Sequence, residues 1–508
     1  MNKNSIGKII IFMNMFNIKA IFSNILKIDP IQRQSIISLF WQIAFTAIGF
    51  LSTMYFARTV GAATLGSYFL FLAYFTLVNM VIDGGFGGAA IKRISEWENP
   101  DAYFSAYFAL RLVFTIAGIL VLLIFKDYSS DLNESGMFVW LLLALLVSMV
   151  SGPISSGVAG KGKMGIRNTC EGISNVLRIL FQILAIYLGY ETAGLAGGMV
   201  AGMIGAAIIE YRFFDLKFAH FTWEHIKSLF VFSFWLFLTS GGALVFSQAD
   251  TVLIGYFMST EDVGIYRVVF QFTAIATFSS YALRSTLWPR VSQWGKVNEI
   301  SLIEKSLSRA ISYSLLLALP VLVGGILLGD QLLGLFYGAD FARGYEALVV
   351  LLLVQLVNIF QYFFTMYLDA LDHPRESFKV TAVGVGANIL LNIILIPLIG
   401  INGAAIATLV TLTLNALLAW QVLSKYMTIH LEMDSLSKIL ASSVIMGVFV
   451  GAYRLIVPFS NIWLTLLAVI LGGAIYGFLI LKLDRKVCDE MRGILERVGI
   501  GYIWPGWL

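Results

Sequence analysis

Two arginines stand inside apolar runs of this chain, Arg111 in the run at 103–125 and Arg178 in the run at 171–189. Each lies about eight residues in from the same side, roughly 12 Å at about 1.5 Å per residue. A guanidinium at that depth is costly, and its planar fork suits phosphate because it donates two parallel hydrogen bonds. Arg111 and Arg178 are therefore candidate contacts for one anion. The competing reading pairs each with a nearby acid, such as Asp83 or Glu171, or lets it snorkel to the surface. Asp250, in the run at 230–257, and Arg267, in the run at 263–287, form a second constellation. A short connection puts them at similar depth. They read first as a mutual ion pair that fixes helix packing, and second as a coupling-ion site. Asp83 opens the stretch Asp83-Gly84-Gly85-Phe86-Gly87-Gly88 at the end of another run. Its glycines either bend a helix toward a ligand or let helices pack closely, the commoner use in membranes. Asp83, Asp250 and Arg267 are thus candidate structural or coupling charges. Arg284, Trp288 and Arg290 approach an interface where arginine snorkelling and tryptophan anchoring are routine, and they receive no special role.

Other chemistry is poorly provided for. The histidines His220, His225, His373 and His430 all fall between runs, and no HxxxH or CxxC pair exists. No metal site and no cofactor is expected. Gly157-Val158-Ala159-Gly160-Lys161-Gly162-Lys163-Met164 has the spacing of a phosphate-binding loop. Methionine stands where such a loop needs Ser or Thr for magnesium, and the stretch follows a membrane helix rather than a strand. The connections are too short for a soluble catalytic domain, so no enzyme is expected. Cys170 and Cys488 both fall on the side read as cytoplasmic, where a structural disulfide is not expected.

The elements that position these residues are membrane spans. The chain has 508 residues, 59% hydrophobic and 13% charged, against about 25% charged in a soluble protein. Fourteen apolar runs of spanning length recur between Ile36 and Leu481. With the N-terminus placed in the cytoplasm, most of the 34 Lys and Arg residues fall on the cytoplasmic side, and four, Arg58, Lys126, Arg343 and Arg454, on the other. That asymmetry puts both termini inside the cell and explains the net charge of +4 without nucleic acid. The basic, apolar N-terminal stretch has no signal-peptide cleavage site and reads as lying along the inner membrane face.

One set of landmarks occurs twice. Gly66-Ser67-Tyr68, Arg167, and Gly189, Gly194 and Ala196 answer to Gly264-Ile265-Tyr266, Arg375, and Gly400, Gly403 and Ala405. The expected fold is an all-α polytopic membrane protein of about 14 transmembrane helices: two pseudo-repeated six-helix lobes and two C-terminal helices. The expected divisions are a cytoplasmic or interfacial segment at 1–35, a first lobe at 36–211, a linker at 212–229, a second lobe at 230–424, two further helices at 437–481 and a tail at 482–508. Duplicated bundles suit transporters, because two like lobes can rock about a shared central site.

The chain resembles the polysaccharide and oligosaccharide flippases of the multidrug/oligosaccharidyl-lipid/polysaccharide exporter superfamily. The likeness runs from about Gln32 to Ala419. It rests on Ala57-Arg58 before Gly66-Ser67-Tyr68, on Asp250-Thr251-Val252-Leu253-Ile254-Gly255 before Val263-Gly264-Ile265-Tyr266, and on Asn388 to Asn392, Pro397 and Gly400-Ile401-Asn402-Gly403-Ala404-Ala405-Ile406-Ala407-Thr408. The resemblance implies an inverted-V transporter in the cell membrane. It implies movement of an oligosaccharide on an undecaprenyl or dolichyl (pyro)phosphate carrier from the inner to the outer leaflet, in contact with the bilayer and with glycan assembly enzymes. It also implies a cationic central cavity, for which Arg111 and Arg178 are the candidates. The rival reading is a cation-coupled multidrug exporter of the same superfamily, which calls for a membrane-embedded acid in the first lobe, where the deep ionisable groups are arginines. A peptidoglycan-precursor flippase stays open. A membrane glycosyltransferase or polymerase would need acidic catalytic residues in a large outer loop.

Overall fold

The computed structural model describes residues 30–124, 126, 135–457 and 462–497. Most of the expected interfacial segment at 1–35, and the end of the expected tail, lie outside the described residues. Among those described, every regular element is helical: α1 (Pro30–Asp83), α2 (Phe86–Ser95), α3 (Pro100–Ile124), α4 (Met137–Gly160), α5 (Met164–Tyr187), α6 (Glu191–Tyr211), α7 (Trp223–Phe257), α8 (Thr260–Thr273), α9 (Phe278–Lys296), α10 (Ile300–Tyr337), α11 (Tyr345–Ala370), α12 (Pro374–Leu423), α13 (Met433–Ile456), α14 (Ile462–Leu483) and α15 (Arg485–Arg497). Helix is the answer expected of a chain in lipid, since it satisfies its own backbone hydrogen bonds.

By length and composition, ten of these helices can cross a membrane, or eleven if the bent α7 is one span. The protein is a multi-pass membrane protein of all-α class. The sequence holds more runs than this because α1 and α12 each carry two, and because the run at 263–287 falls on the two shorter helices α8 and α9. Gly61, at φ 77°, breaks α1, and Gly400, at φ 64°, breaks α12. A positive φ is strained for any residue with a Cβ, so glycine is where a hairpin between two spans can turn. Gly189, at φ 85°, makes the corresponding turn between α5 and α6. The landmark glycines Gly189 and Gly400 are thus two copies of one turn.

The other landmark pair meets face to face. A Cβ on Gly66 would overlap the carbonyl of Thr260 on α8, and a Cβ on Gly264 would overlap the carbonyl of Ala62 on α1. Each repeat glycine is the gap into which the other repeat's helix fits, the reciprocal pattern of a two-fold axis. The α1–α8 contact is the most extensive one between the first and second halves. Within the halves, α5 packs on α6 and α11 on α12. The last helices are attached to α10: Arg454 on α13 pairs with Asp330 at 2.8 Å, and the Tyr476 hydroxyl on α14 donates to the Leu316 carbonyl at 2.6 Å.

Candidate functional site

Charged and polar side chains collect in three places. The first is in the first half, where α1 ends. The Asp83 Oδ1 atom accepts from the Tyr107 hydroxyl at 2.9 Å and from Arg111 Nη1 at 3.3 Å. Arg111 Nη2 donates to Ser148 Oγ at 3.2 Å and also to the Asn79 side-chain oxygen. Arg111 is 2% exposed. The glycine stretch makes this cluster. Gly84 and Gly85, at φ 55° and 82°, turn the chain out of α1, and the next helix returns Gly87 N–H to Asp83 Oδ2 at 3.3 Å. A Cβ on Gly85 would come 2.6 Å from the Ser233 carbonyl on α7, so the bend and the close packing share one cause. Of the two readings of Arg111, the acid-paired geometry is the one found here. Arg178 is elsewhere: it is half-buried on α5, where its backbone faces Gly202 of α6, and its buried Nε has no hydrogen-bond partner among the described residues. Among the described residues the two arginines share no hydrogen-bond partner.

The second place is in the other half. Asp250 on α7 accepts from the Tyr266 hydroxyl (2.6 Å), from Asn392 Nδ2 (2.7 Å) and from the Thr408 hydroxyl (2.9 Å). Asn388 joins in, its Oδ1 accepting from Asn392 at 3.0 Å and its Nδ2 donating to Thr408 at 3.3 Å. These groups come from α7, α8 and both limbs of α12, and the buried Asn392 Oδ1 has no partner among the described residues. The expected ion pair between Asp250 and Arg267 is absent among the described residues, and this corrects the sequence reading. Consecutive helical residues point about 100° apart. With Tyr266 facing Asp250, Arg267 turns toward the first half and stacks on Phe69 and Phe270, 5.7 Å and 5.9 Å from their ring centroids. A cavity of about 210 Å³ separates this cluster from Gln355 and Asn358 on α11.

The third place is a cavity of about 900 Å³ bounded by α7, α9, α11 and α12, with Met80 of α1 across from them. Its polar wall holds Arg284, Tyr362, Thr365, Asp369, Ser377 and Thr381. Sequence reasoning set Arg284 and Trp288 aside as interface anchors. Their spacing held the signal, because residues four apart share a helix face.

The phosphate-loop mimic binds within the chain: Lys163 Nζ donates to Asp215 Oδ2 at 2.9 Å and to the Phe213 carbonyl at 2.8 Å. That hydrogen bond holds the Asp215 carboxyl below its ordinary range.

Two bundles meeting at a pseudo-two-fold contact, with polar clusters inside apolar helices, define a membrane transporter fold. Residues 31–294 match the family described as Polysaccharide biosynthesis protein, and residues 236–394 match MatE. The chain belongs to the polysaccharide biosynthesis protein family, within the multidrug/oligosaccharidyl-lipid/polysaccharide exporter superfamily. It is 28% identical to the probable low-salt glycan biosynthesis flippase Agl15 of Haloferax volcanii, over 87% of this chain and 94% of that one. It is 27% identical to the probable flippase AglR of the same organism, over 89% and 95%. Among solved structures, the lipid II flippase MurJ in an inward closed conformation superposes with a TM-score of 0.71 at 17% identity, covering 89% of this chain and 100% of that one. That likeness establishes the shared fold.

Proposed function

We propose that this protein is a flippase that carries a polyprenyl-(pyro)phosphate-linked oligosaccharide from the inner to the outer leaflet by alternating access. The observation that carries this reading is the 900 Å³ cavity, in which a cation, a carboxylate and several hydroxyls face an otherwise apolar wall. Such a wall suits a hydrophilic head group attached to a lipid. The relatives named as probable flippases, one of them for glycan biosynthesis, support the cargo. In this reading residues 36–211 and 230–424 are the two lobes, the glycine breaks of α1 and α12 together with a further span along α8 and α9 bring the spans to fourteen, and both termini lie on the cytoplasmic side of the cell membrane. The α1–α8 contact closes the outer side and parts when the lobes rock.

Asp250 is the candidate coupling site. Oxygens of Asp250, Tyr266, Asn388 and Thr408 converge there, and the free Asn392 Oδ1 leaves an acceptor for a small cation or a proton. Cations of this kind bind transporters where half-helices meet, and Gly400 divides α12 between Asn392 and Thr408. Asp250, Tyr266, Asn388 and Asn392 all lie in the stretch 236–394 that matches MatE. The reading does not extend to a cationic drug. Fourteen residues before the repeat glycines stand Asp250 in one half and Ser52 in the other.

The test is a leaflet-accessibility assay. Purified protein in liposomes is given a labelled polyprenyl-pyrophosphate oligosaccharide, and exposure of the sugar to an external enzyme is followed. Protein-dependent exposure is the expected result. Its absence, under any ion gradient or potential and with folded protein, overturns the reading in favour of small-molecule export.

A further inference from the structure

The 210 Å³ cavity beside Asp250 and the 900 Å³ cavity share their walls, since α7, α9, α11 and α12 line both. On α7 the large cavity ends at Val245 and the small one begins at Phe246. On α9 the step runs from Arg284 to Tyr281, and on α11 from Tyr362 to Asn358. Residues three or four apart share a helix face, so the small cavity continues the large one by about a turn. Tyr281 and Tyr362 stand at the step, their rings packed edge-on at 5.1 Å. The Tyr362 hydroxyl also accepts from Arg284 Nη1 at 3.3 Å, which ties that ring to the large cavity. Tyr281 is 46% exposed, and its helix begins at a 3-10 turn, Ala274–Thr277, that joins α9 to α8. A 3-10 stretch within a span is a common hinge. The small cavity is polar beyond the step. Gln355 and Asn358 line it, and the Thr251 hydroxyl, on a residue 1% exposed, has no partner among the described residues. A polar cavity of this size holds several waters. On its other side Asp250 meets Tyr266, and α8 is pressed on α1 at Gly264.

We propose that the Asp250 site is loaded from the large cavity, through a door formed by the rings of Tyr281 and Tyr362. This rests on the coupling reading of Asp250. The traffic is a small monovalent metal cation of sodium's size. It passes the door with part of its water, sheds that water in the small cavity and ends on the Asp250 carboxylate. Tyr281 is a gating residue, which sets access and does not hold the bound cation. Cation and head group then share one vestibule, and each reaches its site only in the state that opens that vestibule.

The experiment uses the full chain in phosphatidylcholine nanodiscs, with the buried thiols Cys170 and Cys488 replaced by alanine. The probe is the cationic thiol reagent 2-aminoethyl methanethiosulfonate, and labelling is followed by intact mass. Val385→Cys reports on the large cavity, and Leu412→Cys, at a position 6% exposed, on the small one. Leu412→Cys should react more slowly than Val385→Cys. Tyr281→Ala should speed Leu412→Cys by about tenfold, as loss of one aromatic pair implies, and leave Val385→Cys as it was. Tyr281→Phe keeps the ring and should keep the slow rate, whereas Tyr281→Trp should slow it further. Sodium in place of choline should protect Leu412→Cys, and Asp250→Asn should abolish the protection. A Leu412→Cys rate indifferent to both Tyr281→Ala and Tyr281→Trp overturns the door, and sodium protection seen alongside it leaves the Asp250 reading standing. Acceleration without sodium protection overturns the proposal together with the sodium form of that reading. Equal acceleration of both reporters means that Tyr281→Ala has loosened the helices. The result then rests on Tyr281→Trp, whose failure to slow Leu412→Cys overturns the door.

Discussion

Arg111 shows why a buried charge does not announce its own role. Its guanidinium satisfies Asp83, Asn79 and Ser148 at once, so removing it strands a carboxylate and an amide inside the bundle. Breaking one partner out of a fully buried pair costs about 3–5 kcal/mol, and less here because the Asp83 side chain is 28% exposed. Arg111→Ala is therefore expected to lower the thermal midpoint in detergent clearly, and Arg111→Leu combined with Asp83→Leu to lower it less. A double variant as unstable as the single one would show that pairing is not what Arg111 supplies. Asp250 is expected to behave differently, because its partners are neutral hydroxyls and amides. Asp250→Asn keeps the shape and removes the charge; it turns one of two accepting oxygens into a donor, which the Asn392 amide can meet by turning its free Oδ1 toward it. The protein should fold, and the dependence of leaflet exposure on a sodium or proton gradient should disappear. Retained dependence would move the coupling site elsewhere. Both acids were visible in the sequence as intramembrane charges. Their hydroxyl and amide partners were not, because Tyr107, Asn392 and Thr408 come from other segments whose meeting depends on the three-dimensional packing. Which of Tyr266 and Arg267 faces Asp250 is a matter of helix rotation, and apolar runs this uniform carry too little amphipathic pattern to set it.

At the scale of helices, glycine does most of the placing. The repeat was legible because Gly66 and Gly264, and Gly189 and Gly400, recur in matching surroundings. Their jobs were not legible, since a glycine that turns a chain and one that admits a neighbour look alike in sequence. Structure separates them: Gly189 and Gly400 have positive φ, while Gly66 and Gly264 are helical and open to the opposing helix. Leucine at Gly264 must push α8 off Ala62. Because that contact joins the two halves, Gly264→Leu is expected to favour the form in which it is parted. Leu65→Cys, at a position 1% exposed here, should then react faster with a membrane-impermeant maleimide. Transport should fall by about tenfold, the effect of about 1.4 kcal/mol on a balance between two states. Unchanged labelling would mean that the contact does not govern opening. A smaller device ties the linker to the turn before α5. Lys163 holds the Asp215 carboxyl below its usual range, so the contribution of the pair is present above the ordinary carboxylate pKa and is lost as pH falls through the lowered one. The pair is largely exposed, so Asp215→Asn should cost about 0–1 kcal/mol at neutral pH. Melting curves of the variant and the wild type should converge in acid.

For the whole molecule, the question is what makes rocking directional. The proposed cycle moves an anionic head group outward and returns a cavity that carries the fixed charge of Arg284. In a cell that is negative inside, each negative charge carried outward gains about 2.3 kcal/mol per 100 mV. A diphosphate against one arginine leaves net negative charge moving outward and positive charge moving back inward, so the potential favours both halves of the cycle. Exposure of the labelled glycan in liposomes should therefore quicken when a potassium gradient with valinomycin makes the cytoplasmic side negative, and slow when the gradient is reversed. Replacing Arg284 with glutamine raises the charge moved with the substrate and removes the charge on the return. Steeper dependence of the loaded step, together with weaker binding, is then the expected signature of this residue. If the rate follows sodium or proton gradients and ignores the potential in every variant, the Asp250 cluster alone sets the direction, and the charge of the head group serves recognition only.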